Sequence, residues 1–230
     1  MSAALAVAPG VSLWRGMLDR NAQQRLLSEV LARAAAAPFY RPRMPVSGAA
    51  FSVEETNFGS LGWISDKSGY RYAAAHPLTG AAWPSIPDGL LALWRAATGY
   101  AEPPECCLVN LYRHGARMGL HQDRDEEAMD APVLSVSLGD DALFRIGGLQ
   151  RRAPARTVRL SSGDVLVFGG PARLAFHGVD RIFPESSTLV PGGGRINLTL
   201  RRVTRPKTKA PDQGADRAPD APLRAGTGRG

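Results

Sequence analysis

A mainly β fold, a sandwich or double-sheet jelly roll with helices packed outside it, is what three features of the chain predict. Eight short runs of apolar and β-branched residues follow position 105. Gly or Pro clusters separate most of them at short spacing, the rhythm of a double β-sheet rather than of alternating strands and helices. Helical spacing is confined to two stretches, both ahead of that region.

In chain order, residues 1–18 read as a flexible start: Met-Ser-Ala-Ala-Leu-Ala-Val-Ala carries no basic residue and is too short for a secretory core. Leu26, Leu27, Val30, Leu31 and Ala34 then recur at helical spacing between Asp19 and Ala37, with Pro38 ending the run. A Gly-punctuated, aromatic region over about 45–75 follows, with β-like pieces at 51–56 and 70–72 around Leu61-Gly62-Trp63. It predicts a lid offering Trp63, Tyr70 and Tyr72 as stacking faces. Pro84 and Pro87 open a second helix through Leu90, Leu91, Trp94 and Ala97, closed by Gly99. Beyond Pro103-Pro104 the strand candidates are 107–112, the segment around His121, 133–138, 142–146, 157–160, 165–168, 173–176 and 196–201. They form the core of one domain over 19–202, with its jelly roll over about 105–202. From 203 to 230 Pro, Gly, Ala and Arg dominate, as in a disordered basic tail.

Composition narrows the classes. The 230 residues suffice for one domain with a sizeable core, and no run of about eighteen apolar residues is present, so the expectation is a cytoplasmic protein with no membrane partner. Cys106 and Cys107 are neighbours that point to opposite faces of a strand, hence reduced core residues rather than a disulfide. The formal charge is +7, of which the tail supplies +3; a balance of that size permits a nucleic-acid partner without demanding one.

The chemistry starts at Leu120-His121-Gln122-Asp123-Arg124-Asp125-Glu126. On an extended strand His121 and Asp123 share a face and can share one ion, with Asp125 next on that face and Glu126 opposite. His177, followed by Gly178 at the end of a predicted strand, is the best placed third ligand. Two imidazoles and one carboxylate cover one face of an octahedron, the facial triad of non-haem Fe(II), with zinc as the competing metal. The last strand decides between them. Arg195, Asn197, Thr199 and Arg201 alternate onto one face, and two arginines there suit a dianion. Asn110 and Tyr112, with the same spacing on an earlier strand, add neutral donors. A triad beside a dicarboxylate pocket implies 2-oxoglutarate as co-substrate.

These residues together with Leu61-Gly62-Trp63, Gly69 to Tyr72, Ala131 to Gly139, Phe144 to Leu149, Gly163 to Gly170 and Phe176-His177-Gly178 resemble the bacterial AlkB family of Fe(II)/2-oxoglutarate-dependent dioxygenases, which repair alkylated DNA bases. The likeness runs from about Pro38 to Arg202. It implies a double-stranded β-helix with an N-terminal nucleotide-recognition lid. It also implies iron on His121, Asp123 and His177, and 2-oxoglutarate on Asn110, Tyr112, Arg195, Asn197, Thr199 and Arg201, with Arg195 and Arg201 as its clamps. Trp63 would stack on the extruded base, Tyr70, Tyr72 and Arg151 would lie along the nucleotide, and Asp125 with Glu126 would meet the base edge. The implied reaction is oxidative demethylation of 1-methyladenine or 3-methylcytosine with O2, releasing formaldehyde, succinate and CO2. The expected partner is single-stranded DNA, with double-stranded DNA or RNA beside it, and the expected state is a monomer. A 2-oxoglutarate-dependent hydroxylase of a non-nucleic-acid substrate is the rival reading, and the lid aromatics with Asp125 discriminate.

The chain departs from the family pattern in three places. Gln150-Arg151 stands where two basic residues are expected, Ile196 and Leu200 replace aromatics on the final strand, and Glu54-Glu55 carry charge in the lid region where neutral residues are expected.

Overall fold

The computed structural model describes residues 3–205, and within them the chain forms thirteen strands, two α-helices and one 3-10 turn. The strands are β1 (Leu5–Ala8), β2 (Val11–Trp14), β3 (Glu54–Gly59), β4 (Gly62–Asp66), β5 (Gly69–Ala73), β6 (Cys106–Tyr112), β7 (Met118–His121), β8 (Val133–Gly139), β9 (Asp141–Ile146), β10 (Arg156–Leu160), β11 (Val165–Phe168), β12 (His177–Phe183) and β13 (Arg195–Arg201). Seven of them make one antiparallel sheet in the order β1-β2-β11-β8-β13-β6-β3. Four make a second in the order β10-β9-β12-β7, and β4 with β5 form a separate hairpin.

Alternation along the strands sorts the side chains between two cores. Cys107, Val109 and Leu111 of β6, Leu134, Val136 and Leu138 of β8, and Ile196, Leu198 and Leu200 of β13 share one face of the large sheet. That face packs against α1 (Arg20–Ala36) through Leu26, Leu27 and Val30 and against α2 (Asp88–Thr98) through Leu90 and Trp94. The other face, lined by Tyr112, Val133, Leu166 and Phe168, meets Phe144, Ile146, Val179 and Ile182 of the small sheet. The jelly roll is therefore as expected, and its inter-sheet space holds the site.

Each helix has one end closed by a local signal. The Asp19 carboxylate accepts the Ala22 N–H at 2.7 Å, one of the donors a first turn leaves free, and Gly99 closes α2 at φ 65°, a conformation costly for a side chain. No helix among the described residues is long and apolar enough to cross a membrane. Cys106 and Cys107 are buried and free, as their adjacency required.

Four boundaries differ from the sequence reading. The N-terminus is not loose up to residue 18: β1 and β2 form a hairpin whose inner strand pairs with β11, and Val11 and Leu13 are buried. Residues 173–176 are not a strand. Gly169-Gly170-Pro171 turns the chain into the 3-10 turn Gly170–Ala172, and β12 begins only at His177, which thus opens a strand rather than ending one. The piece expected at 51–56 is shifted to β3 and joins the large sheet beside β6, so of the region expected as a lid only the β4–β5 hairpin pairs apart from the two larger sheets. The ordered domain continues past 202: Val203 packs on Cys106 and Leu108, and Thr204 N–H donates to Glu105 at 2.7 Å. The rest of the predicted tail, 206–230, lies outside the described residues.

Candidate functional site

Strands β7 and β12 run antiparallel with His121 directly opposite His177. Their close approach requires Gly178, where a Cβ would come within 2.5 Å of the Met118 carbonyl oxygen. The two imidazole centroids end 4.4 Å apart. Each ring is oriented by a backbone carbonyl, Nδ1 of His121 lying 2.9 Å from Gly119 O and Nδ1 of His177 lying 3.0 Å from Ala175 O. Donation from Nδ1 leaves each Nε2 as a lone pair facing inward, the tautomer a metal ligand needs. Burial, then His121, pushes the His177 imidazolium down to about 4, so this ring is neutral at pH 7.

The third ligand arrives by another route than strand alternation. β7 ends at His121, and Asp123 lies in the irregular segment after it. It is held there by Arg201, whose Nε and Nη2 donate to Oδ2 at 3.0 Å and Oδ1 at 2.9 Å, and by Arg173, whose Nη1 donates to the Asp123 carbonyl at 2.6 Å. Its oxygens lie 3.8 Å from His121 Nε2 and 3.9 Å from His177 Nε2, and the three donor atoms fall within 4.8 Å of one another. Burial alone would raise the Asp123 carboxyl, but the Arg201 guanidinium and then the two imidazoles outweigh it and hold it well below the usual carboxylate range. Two imidazoles that turn Nε2 inward and one fixed carboxylate fit a divalent metal of the facial-triad type.

A cavity of about 700 Å³ opens beside these ligands. Its inner wall comprises Asn110 and Tyr112 of β6, Ser135 of β8, and Asn197, Thr199 and Arg201 of β13, since opposed residues of neighbouring strands share a face. The two arginines are not equivalent. Arg201 reaches the cavity but gives its fork to Asp123 and lies 3.6 Å from Glu126. Arg195, fully buried behind the cavity wall, donates to Ser137 Oγ at 2.6 Å and to Asp140 O at 3.2 Å, while its Nε has no partner. Asn197 is partly committed, Nδ2 donating to Ser135 Oγ and Thr199 Oγ1, both at 3.1 Å.

At the mouth, Trp63 of β4 stacks on Tyr70 of β5, centroids 5.4 Å apart and rings 17° from parallel, and its Nε1 donates to Asp125 Oδ2 at 2.9 Å. Asn57 anchors the Trp63 backbone at both its N–H and its carbonyl, each at 3.0 Å. Arg151 stands over the Phe176 ring at 5.0 Å, and both border the cavity. Trp63, Tyr70, Asp125 and Arg151 are thus brought together as the sequence reading expected. Glu126 borders the same cavity, and Tyr72 does not. The Tyr72 hydroxyl donates to Glu126 Oε1, Arg173 Nη2 donates to Oε2 at 2.9 Å, and Glu126 is buried, so this pair braces the ligand segment.

Two residues that carry the site escaped the sequence reading. Arg173 sits among apolar neighbours in a run read as a strand, and such a lone cation is itself a sign that a buried carboxylate waits elsewhere. Glu55, read as a lid charge, is fully buried on β3, borders the cavity and has no partner for either oxygen. Glu54 points outward to Arg41 at 3.2 Å.

Comparison with known proteins agrees with this geometry. The family model described as "2OG-Fe(II) oxygenase superfamily" matches residues 10–201. An alpha-ketoglutarate-dependent dioxygenase AlkB homolog of Caulobacter vibrioides is 60% identical over 86% of this chain and 90% of its own length. The solved structure of OsALKBH1 superposes with TM-score 0.75 at 32% identity, over 87% of this chain and 100% of that one. A shorter match, 44% identical over 43% of this chain and 24% of the relative, is the DNA N(6)-methyladenine demethylase ALKBH1D of Arabidopsis thaliana.

Proposed function

The chain belongs to the 2OG-Fe(II) oxygenase superfamily, and from that premise we propose that it oxidatively demethylates N-alkylated bases of the 1-methyladenine and 3-methylcytosine type, with single-stranded DNA as first substrate and double-stranded DNA or RNA as further ones. The observation that carries this reading is the shared cavity: the triad of His121, Asp123 and His177 borders the same space as the Trp63–Tyr70 stack and Asp125. An aromatic plane with a carboxylate at its edge suits an extruded base that alkylation has made cationic.

When bound, Fe(II) and 2-oxoglutarate would let O2 act as the oxidant, one of its oxygen atoms going into succinate as 2-oxoglutarate loses CO2 and the other into a hydroxyl on the N-methyl carbon, after which the product sheds formaldehyde. The chain's own residues hold and shield this chemistry. His121, Asp123 and His177 hold the metal, and Arg201 keeps Asp123 anionic and aimed. Asn110, Tyr112, Asn197 and Thr199 offer polar contacts to the co-substrate, with Arg195 behind them as the buried cation facing its far carboxylate. Phe144 and Phe168 pack against His177 at 5.9 and 4.7 Å and keep water from the ligand side. Trp63, fixed by Asn57 and Asp125, receives the base, and Tyr70 and Arg151 lie along the nucleotide. We place the enzyme in the cytoplasm as a monomer.

The test is an aerobic assay with Fe(II), 2-oxoglutarate and oligonucleotides carrying 1-methyladenine or 3-methylcytosine, read by mass. Loss of the methyl group with matching succinate is the expected result. Succinate without loss of the methyl group would point instead to a hydroxylase of a non-nucleic-acid substrate.

A further inference from the structure

Glu55 and Asn110 are direct cross-strand partners in the β3–β6 pairing, so their side chains share the face that borders the cavity. Both Glu55 carboxyl oxygens and Asn110 Oδ1 are buried without a hydrogen-bond partner. Three orphaned acceptors on two directly opposed residues is an expensive arrangement, because each buried polar group left without a partner costs on the order of 1–3 kcal/mol. A single proton on Glu55 relieves most of it, since a neutral carboxylic acid has one O–H to give and Asn110 Oδ1, on the directly opposed residue, can accept it, which leaves one Glu55 oxygen unpaired.

We propose that Glu55 is a positioning residue for the co-substrate: held as the neutral acid, it donates its O–H to Asn110 Oδ1 and thereby turns the Asn110 amide N–H2 into the chamber toward a 2-oxoglutarate oxygen. This rests on the assignment of 2-oxoglutarate to that chamber. The surroundings favour the neutral form. Burial pushes the Glu55 carboxyl up to about 8, and the opposing pull of Arg201 is weakened because that guanidinium is paired with Asp123. The other titratable groups facing Glu55 are Tyr40, bridged to it across the backbone, and Tyr112 on β6; burial raises both phenols further above their usual range, so neither supplies a charge at neutral pH.

Ionisation of Glu55 removes the donor to Asn110 and sets a carboxylate beside a dianion. Affinity for 2-oxoglutarate therefore falls above pH about 8, by up to about tenfold per pH unit, and binding there takes up as much as one proton. The experiment is calorimetric titration of the anaerobic, Fe(II)-loaded full chain with 2-oxoglutarate from pH 6.5 to 9.5, in two buffers of different ionisation enthalpy. Wild type shows the alkaline fall and the proton uptake. Glu55→Gln keeps an N–H donor without a titrating proton, so it binds as wild type does at neutral pH and loses both effects. An equal alkaline fall in Glu55→Gln, or none in wild type, overturns the inference while leaving the co-substrate assignment standing. Absence of binding at every pH in wild type overturns that assignment as well. Carbon-13 NMR of side-chain carboxyls in the full-length chain provides a reading independent of metal loading and of the variant's folding: one glutamate titrates near 8, and a chain in which none titrates above 7 refutes the proton on Glu55.

Discussion

The two ends of the cavity are built to different standards. At the metal end every donor has a second tie: each imidazole to a backbone carbonyl, Asp123 to Arg201 and Arg173, and Glu126 to Tyr72 and Arg173. At the lid end Asn57 pins the Trp63 backbone, but the indole itself has one hydrogen bond, to Asp125, and a stacking partner, Tyr70, that is 46% exposed. The metal must be held in one geometry through every turnover, and a buried network with all its polar groups satisfied enforces that. A base has to enter and leave, and an aromatic stack whose outer ring is half-exposed at the cavity mouth permits it.

The contrast is broken most severely at the triad. His121→Ala and Asp123→Ala each abolish 2-oxoglutarate turnover, measured as succinate, with loss of bound iron. They differ in what they do to the fold. The His121 side chain is about one-third exposed, so its removal leaves the melting temperature of the metal-free chain nearly unchanged. Asp123→Ala strands the Arg201 charge in a buried site, and breaking such a pair costs about 3–5 kcal/mol. Similar melting of the two variants would mean that Arg201 finds another partner. Next in size is Arg195→Ala, expected to raise KM for 2-oxoglutarate by about 10- to 100-fold, the range for losing a charge-assisted hydrogen bond worth about 1.5–3 kcal/mol. An unchanged KM would assign Arg195 to packing alone.

How far the sequence revealed these ends follows the same division. The period-2 alternation of Arg195, Asn197, Thr199 and Arg201 is a local signal, and their strand runs as that alternation requires. His121 and Asp123 were paired correctly for a reason that fails in detail, because the strand stops between them and the convergence depends on arginines 50 and 78 residues away. The β1–β2 hairpin was missed because its strands are four residues each and owe their order to pairing with β11. Glu55 is the instructive case: a glutamate reads as solvated wherever only its own segment is consulted, and its burial follows from β3 joining the edge of the large sheet.

At the lid end, Trp63→Ala is expected to lower demethylation by about 1–3 kcal/mol in kcat/KM, the usual worth of one base stacked on an aromatic side chain. Consumption of 2-oxoglutarate without substrate persists, since no metal ligand is bonded to the indole. A parallel fall in both rates would make Trp63 part of the rigid end, reached through Asp125.

The smallest effect tests where the boundary between the ends lies. Tyr72 belongs by sequence to the lid strand β5, yet its hydroxyl donates to Glu126, which Arg173 ties to the ligand segment. Tyr72→Phe keeps the ring and removes that donor, so Glu126 Oε1 is left with only the more distant Arg201 Nε at 3.6 Å. The loss is about 1 kcal/mol of stability, read as a melting temperature lowered by about 2–4 °C in a chain of this size. Discrimination between 1-methyladenine and unmodified adenine oligonucleotides is expected to stay as in wild type, because Tyr72 does not border the cavity. If binding of the alkylated strand weakens instead while melting is unchanged, Tyr72 faces the nucleotide after all, and the rigid end stops short of β5.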